Sequence, residues 1–360
     1  MRSNSLFVFL TALTSLLLSC REDCGKSIEM DHIQIPFDEI VSIDVNDCDV
    51  IPLETTDESL LSYVTNIEKA GDEFIVSTAK SIIRFDGAGK YVGHIGALGH
   101  GNSEYLDTRN MFISGNRLCV FDWNSRKINY YDASGKYQSK TDIQPGEGNI
   151  YPSTLYGLTD GTYLSNNCYQ GDEIATPAFS VFSPSGELMY HLDGLVKKDG
   201  STHNELRYSP STNTLLYAEA FYDTIYRVIP DEKEVVKAYY VDFGSYKFTE
   251  DEKAGKDFVD LCAYSNLPEN ADKATVTYCC YETDNRLMFL FAWKQQVNFV
   301  VYDKHGHSAR VFRLVDKTGK LKPMLFAAYT ADEALFLCED LNDMKNNPVL
   351  VRIPYNRIIK

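Results

Sequence analysis

Ile83-Arg84-Phe85-Asp86-Gly87-Ala88-Gly89-Lys90-Tyr91 is a β-branched and aromatic run, a Gly-containing polar turn and the start of a second run. A run of that kind broken by Asp and Gly is a hairpin signal. The phrase returns as Asn129-Tyr130-Tyr131-Asp132-Ala133-Ser134-Gly135-Lys136-Tyr137, then over 181–188 and 301–307. A copy at 226–233 has lost its glycine, and Val351-Arg352-Ile353-Pro354 is a truncated last one. With Phe85, Tyr131, Phe182, Val228, Tyr302 and Ile353 as equivalent positions, the gaps are 46, 51, 46, 74 and 51 residues. A period of tens of residues names an architecture before any single residue is interpreted.

Each unit reads as two hairpins. In the second, Asn110 to Ile113 turns at Ser114-Gly115-Asn116 into Arg117 to Phe121, and a further pair follows around the repeated Gly turn. Four short strands per roughly 40–50 residues is the pattern of propeller blades. The chain is therefore predicted to be all-β, a six-bladed β-propeller with four-stranded antiparallel blades. A pair of β-sandwiches fits the strand density but not the repeat. The sixth unit is one strand short, and Val50-Ile51-Pro52-Leu53 is expected to complete it, which removes an open sheet edge. One domain is assigned to residues 38–360. The long gap holds an insertion at about 245–272, where Thr249 as N-cap and Glu252 three residues on predict a helix over 251–261.

Ahead of the ring, Arg2 precedes a mostly apolar run from Leu6 to Leu18, too short to span a bilayer and suited to a signal-peptide core. It ends in Leu17-Leu18-Ser19-Cys20, the pattern of a bacterial lipobox. Residues 1–19 are assigned as signal peptide, Cys20 as the lipidated N-terminus and 20–37 as a tether. Arg21-Glu22-Asp23 resembles a lipoprotein surface-export signal, the competing reading being a charged linker; the expected location is the outer membrane, with the cell surface favoured over the periplasmic side. Without Arg2 the mature chain carries 34 basic and 51 acidic side chains, a net charge of −17. A field of that sign disfavours nucleic acid, and leaves the lipid as the contact with the membrane. Of the eight cysteines besides Cys20, those at 119, 279, 280 and 338 lie in apolar strand text. Cys24, Cys48, Cys168 and Cys262 are the candidates for pairing.

Strand alternation sorts the loops. Turns between strands one and two are tight: Gly71-Asp72, Gly115-Asn116, Asp160-Gly161 and Asp284-Asn285. The links between blades, expected on the opposite face, are long and varied, and long loops on a rigid scaffold are where binding commonly resides. Trp123 and Trp293 fall in equivalent turns between strands two and three of blades three apart, so the two rings are expected to face each other across the axis. With Arg126, Tyr222 and Lys294 they form the candidate ligand-binding set. The competing reading packs each tryptophan between blades. The link Ile95-Gly96-Ala97-Leu98-Gly99-His100-Gly101-Asn102-Ser103-Glu104-Tyr105 looks superficially like a phosphate cradle, but no helix follows. Gly96, Gly99 and Gly101 read as a structural link anchored by Glu104 and Tyr105, with Arg109 as an ionic partner.

This link, the Asp-x-x-Gly-Lys turns, the Ile51-Pro52-Leu53-Glu54-Thr55 opening and the lipobox resemble the six-bladed, NHL-like propeller lipoproteins of Bacteroidota. The chain departs from them at Asn102-Ser103, where Pro-Gly is usual, and in the insertion. The resemblance implies the fold and a cell-envelope location, and little about activity.

Some six-bladed propellers hold a catalytic metal on the axis. The inner strands here offer Asn66, Glu68 and Asn110, then mainly Tyr, Ser and Thr, too few acids for calcium. No G-x-S-x-G, H-E-x-x-H or paired-carboxylate spacing is present. No metal, cofactor or catalytic residue is assigned. The leading expectation is a non-catalytic binding or scaffold protein whose long-loop face takes a glycan, peptide or envelope protein. The alternatives are a metal-dependent hydrolase or lyase and a purely structural envelope subunit.

Overall fold

In the second strand of blade two, Leu118 and Val120 pack toward blade one while Cys119 and Phe121 pack toward blade three. Side chains alternate faces along a strand, so a blade buried on both sides needs a continuous apolar run rather than an alternating one. The structure, a computed structural model, describes residues 30–144, 152–167, 177–195, 206–330, 332–341, 343 and 345–358. Six small sheets form the ring, and the six main apolar clusters each lie between two neighbouring blades.

Blade one is Val64–Ala70, Glu73–Thr78, Ile82–Phe85 and Tyr91–His94. Blade two is Asn110–Ser114, Arg117–Asp122, Lys127–Tyr131 and Tyr137–Asp142. Blade three is Pro152–Gly157, Tyr163–Asn167, Phe179–Phe182 and Leu188–Leu192. Blade four is Tyr208–Ser209, Thr214–Ala218, Thr224–Ile229 and Glu234–Asp242. Blade five is Ala274–Glu282, Arg286–Trp293, Gln296–Asp303 and Ser308–Val315. Blade six takes Leu321–Tyr329, Glu333–Asp340 and Val349–Pro354 from the C-terminal end, and Asp49–Pro52 as its fourth strand. The ring thus closes as the sequence predicts.

The N-terminal segment does more than close the ring. Asp31–Gln34 adds in parallel to the outer strand of blade four, and Val41–Asp44 to that of blade five. Residues 31–34, read from sequence as tether, are an edge strand: they pair otherwise open backbone groups and bury Ile33 completely. The signal sequence, Cys20 and Cys24 lie outside the described residues. Cys48, expected to pair, is a free thiol whose Sγ donates to the Asp44 carbonyl, and Cys119 and Cys338 are buried.

The repeated turn explains its own sequence. Asp86 Oδ1 accepts from the backbone N–H of Ala88 and Lys90 at 2.9 and 2.8 Å, and Asp132 repeats this with Ser134 and Lys136. Gly89, Gly135 and Gly186 take φ of +82°, +83° and +86°, a region that costs other residues about 1–2 kcal/mol. In the copy without glycine, Lys233 takes φ +58°. The turn also seats on its neighbour, since Glu54 N–H donates to Gly89 O at 2.8 Å and Gln144 N–H to Gly186 O at 2.9 Å. A Cβ on Gly89 would lie 2.2 Å from the Pro52 carbonyl oxygen, and one on Gly186 equally close to that of Asp142.

In the insertion, the Thr249–Glu252 capping box forms, but the single helix expected over 251–261 is two: Glu250–Lys253 and Phe258–Ser265. Gly255 at φ +71° breaks the run and Asp257 caps the second helix, so the local backbone overrides the continuous pattern. Phe248 and Leu261 bury against Phe221 of blade four.

Blades four and five are also clamped by charge. Glu282, with a fully buried side chain, accepts from Arg227 at 2.8 Å, Tyr239 at 2.9 Å and Thr214 at 2.6 Å, and lies 3.3 Å from Lys304. Burial opposes its charge, but the Arg227 hydrogen bonds and attraction, with help from Thr214 and Lys304, hold the carboxyl down at about 2.

Two outcomes follow for stability. Gly89→Ala and Gly186→Ala are expected to lower the urea midpoint well beyond Gly115→Ala, whose φ of +62° sits in open space and costs only the ~1–2 kcal/mol of backbone strain. Equal shifts in all three would contradict the seating. Glu282→Gln should cost on the order of 3 kcal/mol at pH 7. A depressed carboxyl stabilises above its ordinary value of 4.5 and loses that contribution as pH falls toward 2. The gap between wild type and variant should therefore close across that window, and a pH-independent gap would count against the clamp.

Candidate functional site

The innermost strands of all six blades surround an axial cavity of about 630 Å³. Its mouth is framed by the turns at 114–117 and 158–161, which join strands one and two of blades two and three. That is the tight-turn face. The long-loop face, to which the sequence reading assigns binding, carries the interblade links. Most of the links at 144–152 and 193–205 lies outside the described residues.

Polar and apolar groups share the inner wall, and the polar ones first serve the ring. Asn66 Nδ2 of blade one donates to Met111 O of blade two at 2.9 Å, and Asn110 Oδ1 of blade two accepts from Leu155 N–H of blade three at 2.7 Å. These bonds satisfy backbone groups on strand edges that have no further strand to pair with. Lys69 of blade one pairs with Glu333 of blade six, which Arg352 also bridges at 3.0 Å.

One side chain crosses the cavity. Arg207, just before the two-residue inner strand of blade four, reaches to blade one, three blades away. Its guanidinium donates to Glu68 Oε1 at 3.0 Å, Asn66 Oδ1 at 2.9 Å and Ile67 O at 2.7 Å. Burial pushes the Glu68 carboxyl above its ordinary value, and the adjacent Arg207 opposes this only in part. Tyr156, Tyr208, Tyr281 and Tyr329 complete the wall, and Arg117 stands at the mouth with its guanidinium 4.7 Å from the Tyr130 ring.

The inner-strand residues Asn66, Glu68, Asn110, Tyr156, Tyr208 and Tyr329 thus line the cavity, as their places in the repeat imply. Lys69, Arg117, Arg207 and Tyr281 were missed. Arg207 had a signal: it directly precedes the inner run of the blade opposite Asn66 and Glu68.

The ligand-binding set read from sequence does not gather at this cavity. Trp123 is 42% exposed, in the turn between strands two and three of blade two. Trp293 is only 8% exposed, packed on Phe37 and Tyr246 at ring distances of 4.8 and 5.3 Å, with its Nε1–H donating to Asp272 O at 3.1 Å. The N-terminal segment and the insertion cover Trp293, which packs as in the competing reading. Lys294 lies over that indole, 3.5 Å from Asp272. Tyr222 is half-buried under the ammonium of Lys253, 4.7 Å from its ring centre, and Arg126 is exposed with its carbonyl accepting from Ile143 N–H.

The link of 95–105 folds on itself. Glu104 Oε2 accepts from Gly101 N–H at 2.7 Å, and a Cβ on Gly99 would lie 2.1 Å from that carboxylate. A Cβ on Gly96 would meet Tyr131 and Tyr105, whose buried hydroxyl donates to Ile95 O at 2.8 Å. Arg109 pairs with Asp107, its Nε 2.9 Å from Oδ2, and not with Glu104 as expected; the adjacent Asp107 is nearer in chain and held by the same turn.

Among the described residues, no three His, Cys, Asp or Glu side chains gather into a metal-binding group, and no helix is long and apolar enough to cross a membrane. His305 and His307, spaced like ligands, bond apart, to Asn285 and Tyr302.

Two solved structures share the architecture. A Bacteroides fragilis protein described as exported superposes with a TM-score of 0.63 at 17% identity, covering 90% of this chain and 99% of its own. A DUF4221 family member from Bacteroides vulgatus gives 0.56 at 12% identity, covering 84% and 94%. At these identities the likeness concerns the fold. No curated protein matches the chain. A family model described as a domain of unknown function, DUF4934, matches residues 33–348, and the chain belongs to that family.

Proposed function

We propose that the protein is an exported, lipid-anchored propeller of the cell envelope that binds a polar ligand, without transforming it, in its axial cavity. The observation that carries this reading is the cavity itself. Its volume lies within the roughly 300–1,000 Å³ of small-molecule sites, and its wall is tyrosine, amide and guanidinium. Aromatic faces with polar edges suit ligands that are apolar on one side and hydroxylated on the other. The carboxylate in the wall, Glu68, is spent on Arg207, and among the described residues no histidine or second carboxylate lines the cavity beside it. A general acid–base pair therefore has no candidates among the described lining residues.

Export and anchoring rest on the leader and on Leu17-Leu18-Ser19-Cys20. The first strand of the fold begins at Asp31 on the rim of blade four. The ten residues between Cys20 and that strand reach at most about 35 Å at ~3.5 Å each. A lipid on Cys20 therefore holds the ring by its blade-four rim.

A glycan and peptide array on the protein tests the reading. Binding should fall at least about tenfold in Tyr208→Ala and Arg117→Ala, two cavity residues that are not fully buried, with unchanged thermal unfolding. It should survive Trp123→Ala. Binding that tracks Trp123 and ignores both cavity variants would return recognition to the long-loop face.

A further inference from the structure

The cavity departs in charge from the rest of the molecule. The chain has 35 basic and 51 acidic side chains, yet the cavity wall holds three cations, Lys69, Arg117 and Arg207, and one anion, Glu68. Lys69 is paired with Glu333, so Arg117 and Arg207 carry the excess, and cations gathered around an axial concavity of an acidic protein focus positive potential there.

Arg207 is the centre of that field. A guanidinium is a planar fork matched to carboxylates, and this one is held in the middle of the cavity by Asn66 and Ile67 while it grips Glu68. Glu68 stands where the carboxylate of a guest would stand. It is a poorly stabilised occupant, since burial pushes its carboxyl up despite the ion pair. A guest carboxylate that reaches Arg207 replaces an internal partner and leaves no cation unpaired.

The rest of the wall selects among acids. An extended peptide gains affinity by pairing with open strand edges. Here Asn66 and Asn110 occupy edge groups between blades one, two and three. What remains for a guest is tyrosine rings, hydroxyls and amides, the partners of a hydroxylated ring.

From this we infer that the axial cavity takes an acidic saccharide, a sugar bearing a carboxylate, with Arg207 as the anchor of that carboxylate and Glu68 as the internal competitor it displaces. The inference rests on the reading of the cavity as a binding site.

Titration calorimetry with trimers of galacturonate, glucuronate and mannuronate, each beside its methyl ester, tests it on the full protein. At least one acid trimer should bind, with its ester at least tenfold weaker. Arg207→Gln should abolish the preference for the acid. Glu68→Gln, which removes the competing charge and keeps the anchor, should tighten acid binding severalfold. A purely structural ion pair predicts the opposite for Glu68→Gln, a loss matching that of Arg207→Gln. Esters that bind as well as acids would overturn the acidic class and leave the cavity as a neutral-sugar site. A triglutamate peptide that binds where no trimer does would overturn the saccharide. If no trimer, ester or peptide binds and cavity variants change nothing on the array, the underlying reading falls as well.

Discussion

Everything in this molecule depends on the pairing of Asp49–Pro52 with Val349–Pro354. Six sheets that share their apolar faces pairwise have no stable end blade, since an unclosed ring would expose one face of blade one and one of blade six. The cluster holding Ile51 and Leu53 with Leu337 and Leu350 on one side, and Val64, Ile67 and Phe74 on the other, is where that face is buried. Closure also fixes the axis. The Arg207–Glu68 pair joins blade four to blade one, and its 3.0 Å contact exists only because the ring brings opposite blades into register.

The segment that closes the ring first runs along blades five and four as added outer strands. Its path covers Trp293 through Phe37 and ties the closing strand to half of the rim. The glycine turns act at the same radius. Gly89 meets Pro52, so the first repeat of the ring is seated on the strand that closes it. The added outer strands, ring closure and blade stacking are thus one continuous set of contacts.

The repeat made the fold legible because the turns at Asp86–Gly89 and Asp132–Gly135 must satisfy two local demands, a side-chain bond to two N–H groups and a left-handed backbone. Both are written in adjacent residues. The same holds for the capping box at Thr249 and for Glu104, whose partners lie within a few positions. The failures share one cause. Trp123 follows the second strand of its blade and Trp293 ends the second strand of its own, and nothing local says that a segment more than 250 residues earlier covers one of them and not the other. The split of the insertion helix is written locally, in Gly255 with its left-handed backbone and in Asp257 as the next N-cap.

For the site, the inner-strand positions could be named from the repeat, and most of them line the cavity. Loop length points to the long links, while the axial cavity among the described residues is framed by the short turns at 114–117 and 158–161. Arg207 was hidden for another reason. Its importance lies in a contact across the axis, which sequence shows only when opposite blades are superposed.

The most direct test of the account is a crystal structure of the protein grown with a saccharide or peptide that it binds. The account predicts ligand density on the axis, between Tyr156, Tyr208 and Arg207, entered from the face of the tight turns. Density over Trp123 on the opposite face, with the axial cavity unchanged, would contradict it.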